Sequence, residues 1–164
     1  MCIRDSTLPS LAGPDFDVHH TPIDRLLMLV VYRGVHCSAC KNYLQTLDHL
    51  ATDYANAGIR LQAVSVNDQA QAKQAQHDWE LKHLPIAHSL SEDDMRAWGL
   101  YVSHPIRDGE PPLFSEPGLF FIKPDRTLYY AALNTMPFGR PNLQDLLDKT
   151  IDALGKDYPP RGTA

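Results

Sequence analysis

From Leu26 to Tyr32 the chain runs Leu-Leu-Met-Leu-Val-Val-Tyr with no charged residue, the pattern of a strand buried on both faces. The period then lengthens. Across Lys41 to Asn56 a helix is predicted that sets Cys40, Tyr43, Leu44, Leu47, Leu50, Ala51 and Tyr54 on one side, with Gly58 placed to end it. Ile59 to Val66 starts β-branched and alternating, a second strand parallel to the first. Asp68 is positioned to cap a helix from about Gln69 to Leu81, anchored by Trp79. Leu84 to His88 predicts a short strand, and Ser91 with Asp94 three residues on opens a short helix closed by Gly99.

Residues 102–117 contain Pro105, Pro111, Pro112 and Pro117 and read as a loop. Gly118 to Ile122 and Thr127 to Leu133 flank Lys-Pro-Asp-Arg, which makes them a hairpin. Asn142 caps a last helix to about Leu154. Residues 7–22 form an extended lead-in with one short strand near Phe16 to His19. Strand–helix alternation followed by a hairpin predicts an α/β domain: a mixed central sheet with helices on both faces.

With 164 residues and 43% hydrophobic content, the chain suits one domain with a substantial core. Its expected limits are residues 7–156, with 157–164 as a C-terminal tail. The opening Met1-Cys-Ile-Arg-Asp-Ser6 reads as the translation of a sequencing-library adapter, a non-native tail that removes Cys2 from the cysteine arithmetic. A net charge of −5 excludes a basic footprint for nucleic acid or an anionic membrane surface. No apolar run reaches bilayer-spanning length. Three cysteines are too few for a disulfide-stapled secreted scaffold, and with no signal peptide in view the expected location is the cytoplasm. The adapter reading weakens that expectation, because a leader upstream would have been lost with the native start.

The chemistry concentrates at His36-Cys37-Ser38-Ala39-Cys40, where the first strand hands over to the first helix. Two cysteines three apart at a helix start lie on one side, within reach of a disulfide after modest adjustment. The free N–H groups and positive dipole end of the helix favour a thiolate there. Cys37, nearer the helix start and more exposed, is the expected attacking thiolate, and Cys40, on the packed face, the resolving one. Ordinary buried cysteines are the plain alternative. Half of a zinc site is another, although no second cysteine pair exists to complete it.

These segments resemble the peroxiredoxin-like (AhpC/TSA-related, redoxin) proteins of the thioredoxin fold that carry a Cys-x-x-Cys. The resemblance rests on Tyr32-Arg-Gly-Val-His-Cys-Ser-Ala-Cys40, Ala63-Val-Ser-Val66, Ala97-Trp-Gly-Leu-Tyr101, Glu116 to Asp125, Tyr129-Tyr130 and Met136 to Pro141. It spans about residues 8–162 and implies a thioredoxin-like fold and redox chemistry without a cofactor or metal. Its implied partners are an external thiol reductant of thioredoxin or glutathione type and a disulfide or peroxide substrate. It leaves the oligomeric state unassigned. Two positions depart from the typical peroxiredoxin pattern. Gly34 stands where the family has a peroxide-binding Thr, and Pro117 where it has an Arg. Pro117 instead matches the proline, cis in thioredoxins, that turns the preceding carbonyl, here of Glu116, toward the thiols.

Arg33, His36, Glu116 and Pro117 are therefore the expected supporting residues. Arg33 would stabilise a thiolate or replace the missing family Arg; it could equally be a surface residue at a strand end. His36 would favour the thiolate as a cation or as a base, or merely border the site. Glu116 would relay protons or raise the Cys37 pKa by repulsion, or stand as a solvated loop carboxylate. The other seven histidines show no defensible ligand spacing. Residues 136–141 read as a plain loop that at most shapes a surface. The leading expectation is a thiol–disulfide oxidoreductase cycling Cys37–Cys40. A thiol peroxidase and a non-catalytic redox sensor or binding protein are the two alternatives, the last using the 102–117 loop and the 134–141 segment as its surfaces.

Overall fold

A computed structural model of the chain describes residues 6–162. The expected tail at 1–6 thus lies outside the described residues except for Ser6, whose hydroxyl bonds the Asp94 carboxylate.

The apolar run becomes a central strand (β3, Leu26–Val31), reached after a small antiparallel pair, β1 (Thr7–Leu8) and β2 (Phe16–Asp17). Alternation of the side chains explains why every position is apolar. Leu26, Met28 and Val30 pack into one core, and Leu27, Leu29 and Val31 into another on the opposite face. Parallel to β3 lies β4 (Ile59–Val64), and parallel to that lies the short β5 (Ile86–Ala87). On the other side of β3, β8 (Gly118–Ile122) and β9 (Leu128–Leu133) run antiparallel, giving the order β5-β4-β3-β8-β9.

The first core buries side chains of α1 (Ser38–His49), α2 (Ala51–Asn56), α3 (Gln69–Asp78) and α5 (Leu143–Gly155). Against the second pack Met95 of α4 (Glu92–Ala97), Trp98, and Leu8, Phe16 and Val18 of the N-terminal segment. This is the mixed sheet with helices on both faces that the hydrophobic pattern predicts. The expected caps form as well. Asp68 makes a reciprocal capping box with Gln71, the Ser91 hydroxyl accepts the Asp94 N–H, and Asn142 accepts the Asp145 N–H.

Two local expectations are corrected. The helix predicted over 41–56 begins three residues earlier, at Ser38, and breaks at Leu50, whose ψ of 1° leaves the helical range. The break gives two segments, and Tyr54 on the second is fully buried with its hydroxyl bonded to the Leu143 carbonyl at 2.8 Å. The proline-rich stretch 102–117 is not loop throughout. It contains β6 (Val102–Ser103) paired antiparallel with β7 (Phe114–Ser115), a ladder too short to leave a periodic signal.

Asp48, near the end of α1, is a buried carboxylate that accepts the backbone N–H groups of His83 and Leu84, both at 2.8 Å. It fixes the approach of the chain to β5. Asp48→Ala is expected to lower unfolding free energy by about 2–4 kcal/mol in urea titrations, because it leaves these donors unpaired. A loss below about 0.5 kcal/mol would show that water replaces the carboxylate at no cost.

Candidate functional site

Both strands that run parallel through the sheet centre, β3 and β4, end at the same edge, and the segments that follow them build the site. After β3 the chain turns through Gly34, whose carbonyl accepts the Cys37 N–H at 3.1 Å. Gly34 has a φ of +133°, and a Cβ there would sit 3.0 Å from the Asn67 amide nitrogen. A Thr at this position is thus excluded by backbone conformation and by Asn67 together. Asn67, fully buried just after β4, accepts the Val35 N–H at 2.8 Å and donates to Gln71 Oε1 at 3.1 Å. It braces the turn that delivers Cys37. Sequence pattern passed over Asn67; the one available signal is its place at the C-terminal end of a parallel strand, where α/β sheets build sites.

Cys37 is the N-cap of α1, and its sulfur accepts the Cys40 N–H at 3.2 Å. Cys37 and Cys40 form a disulfide with Cα atoms 5.2 Å apart. Cys37 is 4% exposed and Cys40 0%, so the expected order of exposure holds but both are buried. Only Cys37 reaches a cavity of about 490 Å³, which Arg33, His36, Glu110, Glu116, Ile106, Met136 and Phe138 also line. Ile106 and Phe138 are 82% and 78% exposed, an apolar rim over a polar floor. A larger cavity of about 600 Å³, between the N-terminal segment and the start of β4, holds none of the expected site residues.

Arg33 and Glu116 meet across the floor. Arg33 Nε lies 3.1 Å from Glu116 Oε2 as an ion pair off the axis of a hydrogen bond, and Arg33 Nη2 lies 3.8 Å from Glu110. The guanidinium also covers the Phe114 ring at 4.7 Å. Glu116 is buried and accepts the Ser103 hydroxyl at 2.8 Å, so the reading of a solvated loop carboxylate is corrected. Glu110 has its pKa lowered, first by the hydrogen bond from the Ile106 N–H.

His36 packs edge-on against Phe114, 5.0 Å between ring centres, with both ring nitrogens buried and without a hydrogen-bond partner. Burial first, then the nearby Arg33 charge, lowers its pKa, while Glu110 opposes the shift. The shift disfavours the imidazolium form of His36.

Every peptide bond among the described residues is trans, including that of Pro117, so the cis expectation is corrected. The Glu116 carbonyl accepts the Ser115 hydroxyl at 2.6 Å, and the Pro117 carbonyl accepts the Asn134 N–H at 3.0 Å. Pro117 sits beside Tyr43, Arg140 and Pro141, behind the cysteines. There the structure places a group read from sequence as plain loop: Arg140 Nη2 lies 3.0 Å from Cys40 Sγ. Among the described residues no set of three or more His, Cys, Asp or Glu side chains is arranged to hold a metal. No helix among them is long and apolar enough to cross a membrane.

A family model described as the AhpC/TSA family matches residues 2–131. Among solved structures the chain is similar to reduced Prx3 from Vibrio vulnificus, with a TM-score of 0.76, 16% identity, and 93% of this chain and 96% of that one covered. It is likewise similar to a peroxiredoxin 6 mutant from Arenicola marina (TM-score 0.75, 19% identity, 93% and 70% covered). A third is the bacterioferritin comigratory protein of Xanthomonas campestris (TM-score 0.69, 15% identity, 93% and 90% covered). At such identities the likeness establishes a thioredoxin-like fold. No curated protein matches.

The depressed His36 pKa carries a pH signature in the disulfide form. Between the folded value and the ordinary histidine value of 6.5 the unfolded chain binds more protons at this residue. Its contribution to stability is thus present above pH 6.5 and lost as pH falls through the folded pKa. Histidine-resolved NMR of the oxidised protein should place the His36 midpoint below 6.5. A midpoint at or above 6.5 would contradict the desolvated, unpaired ring.

Proposed function

Because the chain belongs to the AhpC/TSA family, whose model matches residues 2–131, we propose that within this redox enzyme family it works as a thiol–disulfide oxidoreductase through Cys37 and Cys40. The observation that carries the reading is the pair itself: bonded at the start of α1, with Cys37, and not Cys40, among the residues lining the cavity. In the reduced protein the helix N-terminus favours Cys37 as thiolate. That thiolate attacks one sulfur of a substrate disulfide, forming a mixed disulfide and releasing the other sulfur as a thiolate. Cys40 then attacks Cys37, the substrate's second sulfur leaves as a thiolate, and Cys37–Cys40 forms. An external thiol reductant, of thioredoxin or glutathione type, returns the pair to the dithiol. In this reading His36, adjacent in sequence to Cys37 and lining the same cavity, serves as the proton acceptor. The Arg33–Glu116 pair lines the same cavity and sets the local charge.

Two features support disulfide over peroxide as substrate. Gly34 leaves no hydroxyl where the family binds peroxide, and Arg33 is engaged by two carboxylates. Family membership itself supports the second reading, a thiol peroxidase in which Cys37 becomes a sulfenic acid that Cys40 condenses with, releasing water. The apolar rim of Ile106, Met136 and Phe138 fits a protein substrate or reductant seated over Cys37.

Reduced protein given a model disulfide in one assay and hydrogen peroxide in another decides between them. The disulfide is expected to be consumed, with Cys37→Ser inactive and Cys40→Ser arrested as a mixed disulfide on Cys37. Fast peroxide loss that Cys37→Ser abolishes would transfer the assignment to the peroxidase, and inertness in both assays would sink the enzyme.

A further inference from the structure

Arg140 is the one cation in contact with a cysteine sulfur among the described residues, and it is held there from three directions. Its Nη1 bonds the Pro137 carbonyl, its guanidinium stacks over the Tyr43 ring at 5.2 Å, and its Nη2 donates to Cys40 Sγ at 3.0 Å. The Tyr43 hydroxyl ties α1 back to the same segment through the Pro141 carbonyl at 3.0 Å. The titratable groups around it are Tyr43, Arg33 and Glu116, and desolvation is the largest influence, taking the Arg140 pKa down to about 10. It therefore stays charged at neutral pH. Cys40 is 0% exposed. Burial alone would raise its thiol pKa and make it a poor leaving group.

We propose that Arg140 is a catalytic residue that holds the Cys40 sulfur as a thiolate, making Cys40 the leaving group when the disulfide opens. This rests on the oxidoreductase reading for its role in turnover. A reductant thiolate enters through the cavity and attacks Cys37, the one cysteine of the pair that lines it. A bond forms between the reductant sulfur and Cys37, the Cys37–Cys40 bond breaks, and its electron pair goes to Cys40 beside the guanidinium. A second reductant thiolate then attacks the first, freeing Cys37 as thiolate and leaving the reductant as its own disulfide. A leaving sulfur of lower pKa departs faster, so the contact accelerates opening and stabilises the dithiol form. In the opposite direction it keeps Cys40 ionised and ready to attack Cys37. The charge sits behind the pair, where no substrate need displace it.

The test is the titration of Cys40 as the only thiol, in a Cys2→Ser, Cys37→Ser background, read by ultraviolet thiolate absorbance. With Arg140 intact its midpoint is expected below the unperturbed value of about 8.5 in spite of full burial. Arg140→Gln should raise it by about one unit, and Arg140→Lys should restore most of the difference. With both cysteines present and at a pH above both Cys40 midpoints, Arg140→Gln should shift the equilibrium with a reference dithiol about tenfold toward the disulfide, about 30 mV. A midpoint above about 8.5 with Arg140 intact overturns the proposal even if the Gln variant does not fold. An unchanged titration in a folded Gln variant overturns it too. A low midpoint that Gln removes, found with a parent disulfide that no thiol opens, overturns the oxidoreductase reading and leaves the thiolate assignment standing.

Discussion

The sulfur of Cys37 is at once the cap of a helix and half of a disulfide. It accepts the Cys40 N–H at the first turn of α1, in the place where a Ser or Asp oxygen usually sits. Helix start, bond geometry and thiolate stabilisation are consequently one arrangement. The helix can begin at Ser38 because the sulfur caps it, and the cysteines can bond because capping sets them one turn apart. Everything upstream serves that placement. β3 is buried on both faces and cannot slide, Gly34 turns the chain at a φ of +133°, and Asn67 pins the turn from the neighbouring strand.

Charge is distributed around this pair unevenly. In front, Arg33 is paired with Glu116 and lies 3.8 Å from Glu110, so two carboxylates oppose its charge. Breaking such a pair by removing one partner strands the other in a poorly solvated place, which gives Arg33 and Glu116 a shared structural duty besides any chemical one. Behind, Arg140 has no carboxylate ion pair among the described residues, and its contacts are a carbonyl, an aromatic face and a sulfur. A cation in a desolvated setting stabilises a neighbouring thiolate far more than a screened surface arginine would.

How much of this the sequence displays follows the range of the interactions. The buried strands, the helix caps at Asp68, Ser91 and Asn142, and the Lys-Pro-Asp-Arg turn are legible because each is written in a few adjacent residues. The cysteine pair is legible for the same reason. The β6–β7 ladder is not, because two residues per strand carry no period. Arg140 meets Cys40 across 100 positions, and only the packing of the post-β9 segment against Tyr43 brings them together. Glu116 looked solvated because prolines surround it, yet the short ladder beside it supplies Ser103 and buries it.

The two departures at Gly34 and Pro117 then have a common physical meaning. Where the family resemblance implies a hydroxyl and a guanidinium aimed at a peroxide on the attacking sulfur, this chain has a glycine that admits Asn67 and a proline packed beside Tyr43. A guanidinium is nevertheless present, delivered by a different segment and directed at the other cysteine. Positive charge on the attacking side stabilises the oxygen that leaves when a peroxide O–O bond breaks, whereas positive charge on Cys40 stabilises the sulfur that leaves on reduction. Under the proposed oxidoreductase reading, a cation held at Cys40 favours opening an S–S bond, where one aimed at a peroxide on the attacking sulfur would favour cleaving an O–O bond.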